Sequence, residues 1–290
     1  MADTPVRDRA AFLQAYDEAM RRWAPGTETL DLDSDFGRTR VYLSGPPSAP
    51  PVLLLAAYGA TSAEWSPLAL DLAVDHRLHA VDIPGDPGRS VPGDAALATP
   101  ADLRRWLAGV LDGLGLARVH PIGHSYGAWI ALNFALGEPG RVSGLTLLDP
   151  TMCFTPMLKG YIFRATPTLM RPSGARRTAM IQWETRGVPL NQQWLEVTAL
   201  GTDAFGLTST VPTRIPAASA FDALTAPTAV VLAGRSRVLH ARTTARRAGT
   251  RSALITVHTL ADASHYGLPM THPHAIADIV RATGTGAAPA

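Results

Sequence analysis

Residues 118–136 read R-V-H-P-I-G-H-S-Y-G-A-W-I-A-L-N-F-A-L. The first five predict a strand, 118–122. The residues from Tyr126 onward predict a helix, 126–136, apolar over nearly its whole length. Between them stands Gly123-His124-Ser125-Tyr126-Gly127, a G-x-S-x-G pattern. The pattern alone is a weak signal, since a glycine-flanked turn without chemistry looks the same. Its place between a strand and a helix makes it a strong one. A sharp turn there lifts the Ser125 hydroxyl above the sheet edge, and the flanking glycines remove side chains that would clash. The helix points its unpaired N–H groups and positive dipole end at that hydroxyl. The Tyr126 backbone N–H then forms half of an oxyanion hole.

Working outward, short apolar runs predict strands at 52–56, 77–82 and 143–149. Helical spacing predicts 62–75 and 100–115 between them, the latter with Leu103, Leu107, Val110 and Leu111 on one side. Residues 52–149 thus alternate strand and helix, the pattern of a parallel sheet with helices on its faces. Right-handed crossovers bring every strand's C-terminal end to one edge, where ligands bind. Upstream, Phe12, Tyr16, Met20 and Trp23 mark a helix over 8–24, followed by strands at 28–32 and 38–43. Downstream, the rhythm stops at Thr151 and resumes with a strand at 228–233, a helix at 241–248, a strand at 253–260 and a helix at 269–281. The fold class is therefore α/β, a mostly parallel central sheet flanked by helices. A core of 1–150 and 227–283 carries an inserted helical cap at 151–226, with a disordered tail at 284–290.

Residues 53–65 read L-L-L-A-A-Y-G-A-T-S-A-E-W and residues 82–90 read D-I-P-G-D-P-G-R-S. With the Ser125 turn, they resemble the α/β-hydrolase fold superfamily, close to bacterial esterase-like serine hydrolases. Those read L-L-L-H-G-x-G-A-x-S-x-x-W and D-x-x-G-D-P-G-R-S at the same places. The resemblance implies that the Tyr58 backbone N–H is the second oxyanion donor. Ala56-Ala57 replaces the usual His-Gly pair, and Ala57 adopts positive φ less cheaply than glycine.

The family's chain order, serine then acid then histidine, puts the base in the loop after the last strand. That loop reads A-D-A-S-H-Y-G over 261–267, which selects His265. Relatives often carry the acid in the turn after the strand that follows the cap. Here the turn, Gly234-Arg235-Ser236-Arg237-Val238-Leu239-His240, holds no carboxylate. Asp149, at the end of the strand after the nucleophile, is the choice, and Asp262 the reserve. A third reading has no acid, with His265 oriented by neutral hydrogen bonds.

The cap segment is rich in Met and aromatic residues, among them Met152, Phe154, Met157, Tyr161, Phe163 and Trp183. A roof of that kind implies a largely apolar substrate, although the same residues suit plain packing. Ala57, His124, Phe154, Trp183 and Tyr266 are the expected pocket residues. Arg164, Arg171 and Arg186 are available for an anionic group, and none stands out. Neither metal-ligand spacing nor a phosphate-binding glycine loop occurs, so no cofactor is expected.

The net charge of +2 and the lack of a basic block argue against nucleic acid. No apolar run reaches a membrane span, no secretory signal opens the chain, and the single Cys153 excludes an intrachain disulfide. A cytoplasmic monomer or homodimer acting on a small molecule is the expectation. Its reaction is hydrolysis of an ester or thioester through an acyl-enzyme on Ser125. The alternative is a lyase or cyclase acting on a specialised metabolite, which the altered Ala56-Ala57 loop and the carboxylate-free turn favour. A non-enzymatic ligand-binding protein is a third reading, opposed by the intact Ser125 and His265 pair.

Overall fold

The computed structural model describes residues 6–206 and 211–284. Its centre is a nine-stranded sheet. The strands are β1 (Glu28–Ser34), β2 (Gly37–Ser44), β3 (Pro51–Leu55), β4 (Arg77–Val81), β5 (Val91–Pro92), β6 (His120–His124), β7 (Leu145–Leu148), β8 (Thr228–Ala233) and β9 (Ile255–Leu260). Their order is β1-β2-β4-β3-β6-β7-β8-β9, with the two-residue β5 paired to β2. From β4 to β9 every neighbouring pair is parallel, while β2 runs antiparallel to β1, β4 and β5.

Strand β3 shows why the sheet is buried on both faces. Side chains alternate across a strand. Leu53 and Leu55 join one apolar cluster, whereas Val52 and Leu54 join the other. On the first face lie α3 (Pro100–Gly113) and α4 (Tyr126–Gly137). On the second lie α1 (Val6–Met20), α2 (Ser66–Leu72) and α10 (Pro273–Gly284). Helix α4 packs on β6, β7 and α3, and it is apolar almost all round because little of it meets water.

Between β7 and β8 the chain is helical, with α5 (Lys159–Met170), α6 (Gly174–Glu184) and α7 (Gln192–Phe205). Helix α7 packs against α1, where Phe12 and Phe205 meet edge-to-face at 5.2 Å between ring centroids. Helix α5 buries none of its residues fully, and Phe163 and Met170 are exposed. After β8 come α8 (Ala241–Gly249) and α9 (Leu268–Thr271).

Several boundaries differ from the sequence expectation. The helix expected at 62–75 is a 3-10 turn, Ser62–Trp65, running into α2, with Pro67 near the break. The last helix is divided at His272, because the residue before Pro273 is pushed out of helical geometry (φ −130°, ψ 39°). Strand β5 was not foreseen, being only two residues long. Of the expected tail, Gly284 ends α10, and 285–290 lie outside the described residues.

Candidate active site

The turn between β6 and α4 is strained at one residue. Ser125 has φ 54° and ψ −109°, outside the usual regions for a residue with a side chain. Its N–H donates to the Leu148 carbonyl at 3.0 Å, tying the turn to the end of β7. Two glycines make the turn sterically feasible. A Cβ on Gly123 would sit 2.3 Å from the Gly127 carbonyl oxygen, and one on Gly127 would sit 2.0 Å from that of Leu55. The strand, the helix and β3 therefore meet closer than any side chain allows. Tyr126 is the first residue of α4, so its N–H has no partner within the helix.

His265 follows β9 in the loop Ala261-Asp262-Ala263-Ser264-His265. Its Nε2 lies 3.0 Å from Ser125 Oγ, and its Nδ1 lies 2.6 Å from Asp149 Oδ2. A carboxylate only accepts, so Nδ1 carries the hydrogen and Nε2 is left to accept from the serine hydroxyl. All three side chains are withdrawn from water, with Ser125 at 8% exposure, His265 at 2% and Asp149 at 0%. In such surroundings charge-assisted hydrogen bonds are strong and an unpaired charge is expensive.

Asp149 is the residue directly after β7, at φ 38°. Aspartate tolerates this left-handed geometry better than most residues. Its N–H donates to the Val231 carbonyl at 2.7 Å. Its carboxylate accepts from the Ala233 N–H at 3.1 Å and the Ser236 hydroxyl at 2.8 Å, besides His265. The end of β8 and the carboxylate-free turn after it thus each supply a donor to a carboxylate held by the neighbouring strand. Asp262, by contrast, pairs with His272 at 3.1 Å on the surface and faces away from His265.

Two buried glutamates went unforeseen. Glu64 Oε1 accepts from the Ala57 N–H at 3.0 Å and lies 3.5 Å from His124 Nδ1. It ties the 56–60 loop to the serine turn. Neither Ala56 nor Ala57 has positive φ, and the left-handed step falls on Gly59 at 64°. The replacement of His-Gly by Ala-Ala therefore brings no backbone strain to those two residues.

Glu184, the last residue of α6, is fully buried. Its Oε1 accepts from the N–H groups of Arg237 at 3.1 Å and His265 at 3.0 Å, and its Oε2 from that of Tyr266 at 3.1 Å. One carboxylate thus pins both the turn beside Asp149 and the histidine loop to the helical segment. Nothing in the local sequence marks either glutamate. Glu184's partners lie far away in the chain, and so does His124 beside Glu64.

A cavity of about 530 Å³ opens above Ser125 and His265. Of the expected pocket residues Ala57 and Tyr266 line it, and so do Tyr58 and Tyr126, the residues of the expected oxyanion donors, together with Met152, Met157, Tyr161, Ile162, Leu169 and Val211. Three expected pocket residues do not. His124 is buried beneath the histidine loop, where its Nε2 bonds the His265 carbonyl at 3.0 Å. Phe154 is buried in the core, its ring centroid 5.7 Å from that of Phe221. Trp183 faces outward, between the guanidinium groups of Arg164 and Arg237. Of the arginines, Arg164, Arg171 and Arg186 are exposed, and the cavity holds Arg177 instead. Among the described residues no cluster of side chains suits a metal ion, and no helix is long and apolar enough to cross a membrane.

Comparison with known proteins agrees with this architecture. An uncharacterized carboxylesterase, nap, of Bacillus subtilis is 36% identical over 54% of this chain and 50% of its own length. Carboxylesterase YbfK of the same organism is 37% identical over 51% of this chain and 50% of its own. In these alignments the chain spans about half the length of the curated relatives. The crystal structure of carboxylesterase CesB (YbfK) from Bacillus subtilis superposes with a TM-score of 0.89 at 25% identity, covering 98% of this chain and 100% of that one. The family model described as alpha/beta hydrolase family matches residues 52–279, from β3 through the serine turn into α10. Well over half of the sequence answers to that one description, and the chain belongs to the alpha/beta hydrolase family.

Proposed function

We propose that this protein is a serine hydrolase that cleaves a carboxylic ester, or a thioester, of a largely apolar small molecule. The single observation that carries the reading is the unbroken run of hydrogen bonds from Ser125 Oγ through His265 to Asp149. A serine hydroxyl is a poor nucleophile until a base takes its proton, and His265 Nε2 is within reach to do so. Relatives named as carboxylesterases support the same chemistry.

In this reading Ser125 Oγ attacks the ester carbonyl carbon while its proton passes to His265 Nε2. The carbonyl oxygen becomes an oxyanion and accepts from the Tyr126 and Tyr58 N–H groups. One such donor contributes about 3 kcal/mol to the transition state, a factor of roughly 10²–10³ in rate. Asp149 stabilises the imidazolium and keeps it oriented. The tetrahedral intermediate collapses, the alcohol or thiol leaves with the proton from Nε2, and an acyl-Ser125 ester remains. Water, deprotonated by His265, repeats the sequence in reverse roles and releases the acid.

Residues 151–226 act as the cap that roofs the cavity, and Glu184 couples that cap to the His265 loop. The enzyme works in the cytoplasm, where buried Cys153 needs no disulfide partner.

A fluorophosphonate probe tests the proposal. The wild-type protein should label stoichiometrically with loss of p-nitrophenyl ester hydrolysis, and Ser125→Ala should neither label nor hydrolyse. A Ser125→Ala variant that keeps full activity would sink the acyl-enzyme.

A further inference from the structure

Among the described residues, the cavity lining includes one lysine or arginine. Arg177, on α6, lines it together with Ser125 and His265. Among the described residues its guanidinium makes one hydrogen bond, from Nη2 to the Tyr58 carbonyl at 2.9 Å. It also lies over the Tyr266 ring, 5.3 Å from the centroid. No carboxylate of the described residues forms an ion pair with it. Glu64, whose field reaches it, is itself bound to the Ala57 N–H.

A guanidinium has five N–H donors in a flat fork. One carbonyl satisfies one of them. A cation kept in a mostly apolar hollow without a counter-charge is unfavourable unless something else completes it. Besides Ser125 and His265, the polar side chains of the described lining around it are neutral hydroxyls, those of Thr151, Thr168, Thr213 and the tyrosines, and none supplies a counter-charge. The group that completes it must arrive with the ligand.

We propose that Arg177 binds a carboxylate on the substrate, separate from the bond that is cleaved. This rests on the hydrolase reading above and narrows its substrate class. The substrate is an ester with three parts. Its scissile carbonyl sits at Ser125, an apolar spacer lies along the Met and Ile walls, and a free carboxylate takes the guanidinium fork in two parallel hydrogen bonds. The half-esters of dicarboxylic acids have this form. Lysine would serve less well, because a point charge cannot match the planar carboxylate.

Binding can be tested apart from turnover. Ser125→Ala is titrated calorimetrically with monomethyl and dimethyl esters of a dicarboxylate series from succinate to sebacate. At the best-fitting length the monoanion should bind about tenfold or more tightly than its neutral diester, and Arg177→Met added to Ser125→Ala should abolish that ratio. Arg177→Lys should keep part of it, which guards against a Met variant that folds badly. Equal binding of both esters at every length, no binding of either, or a preference that survives Arg177→Met would overturn the proposal. Hydrolysis is scored separately with wild-type protein. If no ester is cleaved, the hydrolase reading fails, whatever the binding ratio shows.

Discussion

The residue after β7 and the turn after β8 occupy neighbouring places on the same sheet edge, and in the proposed mechanism they have exchanged tasks. Relatives commonly put the acid in the second place. Here Asp149 stands in the first, and the second contributes the Ser236 hydroxyl that, with the Ala233 N–H at the end of β8, holds it. Parallel strands β7 and β8 are hydrogen-bonded neighbours, and such strands lie about 4.8 Å apart. A carboxylate can therefore reach the same imidazole nitrogen from either strand end. The chemistry constrains where the oxygen is, and only loosely which strand delivers it.

The most severe way to break this comparison is Asp149→Asn. The amide keeps the shape but upsets the tautomer of His265, so kcat should fall by about 10⁴ with little change in KM. Steady-state kinetics on a p-nitrophenyl ester measures it, and a fall under tenfold would remove Asp149 from the machinery.

Glu184→Gln comes next. It loosens the backbone N–H groups of Arg237, His265 and Tyr266 together. Misplacing the base by an ångström should lower kcat about 10²-fold. Fluorophosphonate labelling should slow in step, while KM stays near the wild-type value. A drop in melting temperature alone, with kcat kept, would make Glu184 a purely structural anchor.

Two smaller changes sharpen the exchange of tasks. Ser236→Ala removes a hydrogen bond to a charged group, worth about 1.5–3 kcal/mol, and should lower kcat tenfold or somewhat more. Introducing Ser236→Asp into Asp149→Asn should recover about tenfold of the lost rate, since the Ser236 hydroxyl is 2.8 Å from the Asp149 carboxylate. No recovery would mean that the turn after β8 cannot carry the acid in this chain. Asp262→Asn should change kcat less than about twofold. Hydrogen bonding to His272 holds that carboxyl below the usual range, on the surface, where an ion pair contributes little.

Much of this was legible in one dimension. The serine turn, the alternating elements and the position of His265 all follow from patterns spanning a few residues. Asp149, chosen by counting carboxylates at strand ends, stands 2.6 Å from the His265 imidazole. The pocket was read less well. A Met- or aromatic-rich segment announces burial, but Phe154, buried in the core, and Phe163, exposed on α5, look alike in a sequence. Glu184 was invisible because it is defined by backbone N–H groups from another part of the chain, and Glu64 because its approach to His124 depends on how the serine turn packs. Arg177 was one of several arginines between β7 and β8, and only its place in the cavity separates it from Arg164, Arg171 and Arg186.

By itself the sequence determined the architecture and singled out Ser125 and His265, which the structure brings within hydrogen-bonding distance. Strand, turn and helix are set by the local alternation of apolar residues and by glycines where no Cβ fits. The tertiary structure decided who holds whom: Ser236 on Asp149, Glu184 on His265, Arg177 in the cavity. Those contacts depend on the direction a side chain takes when separate elements pack, and burial makes their strength depend on small differences in distance.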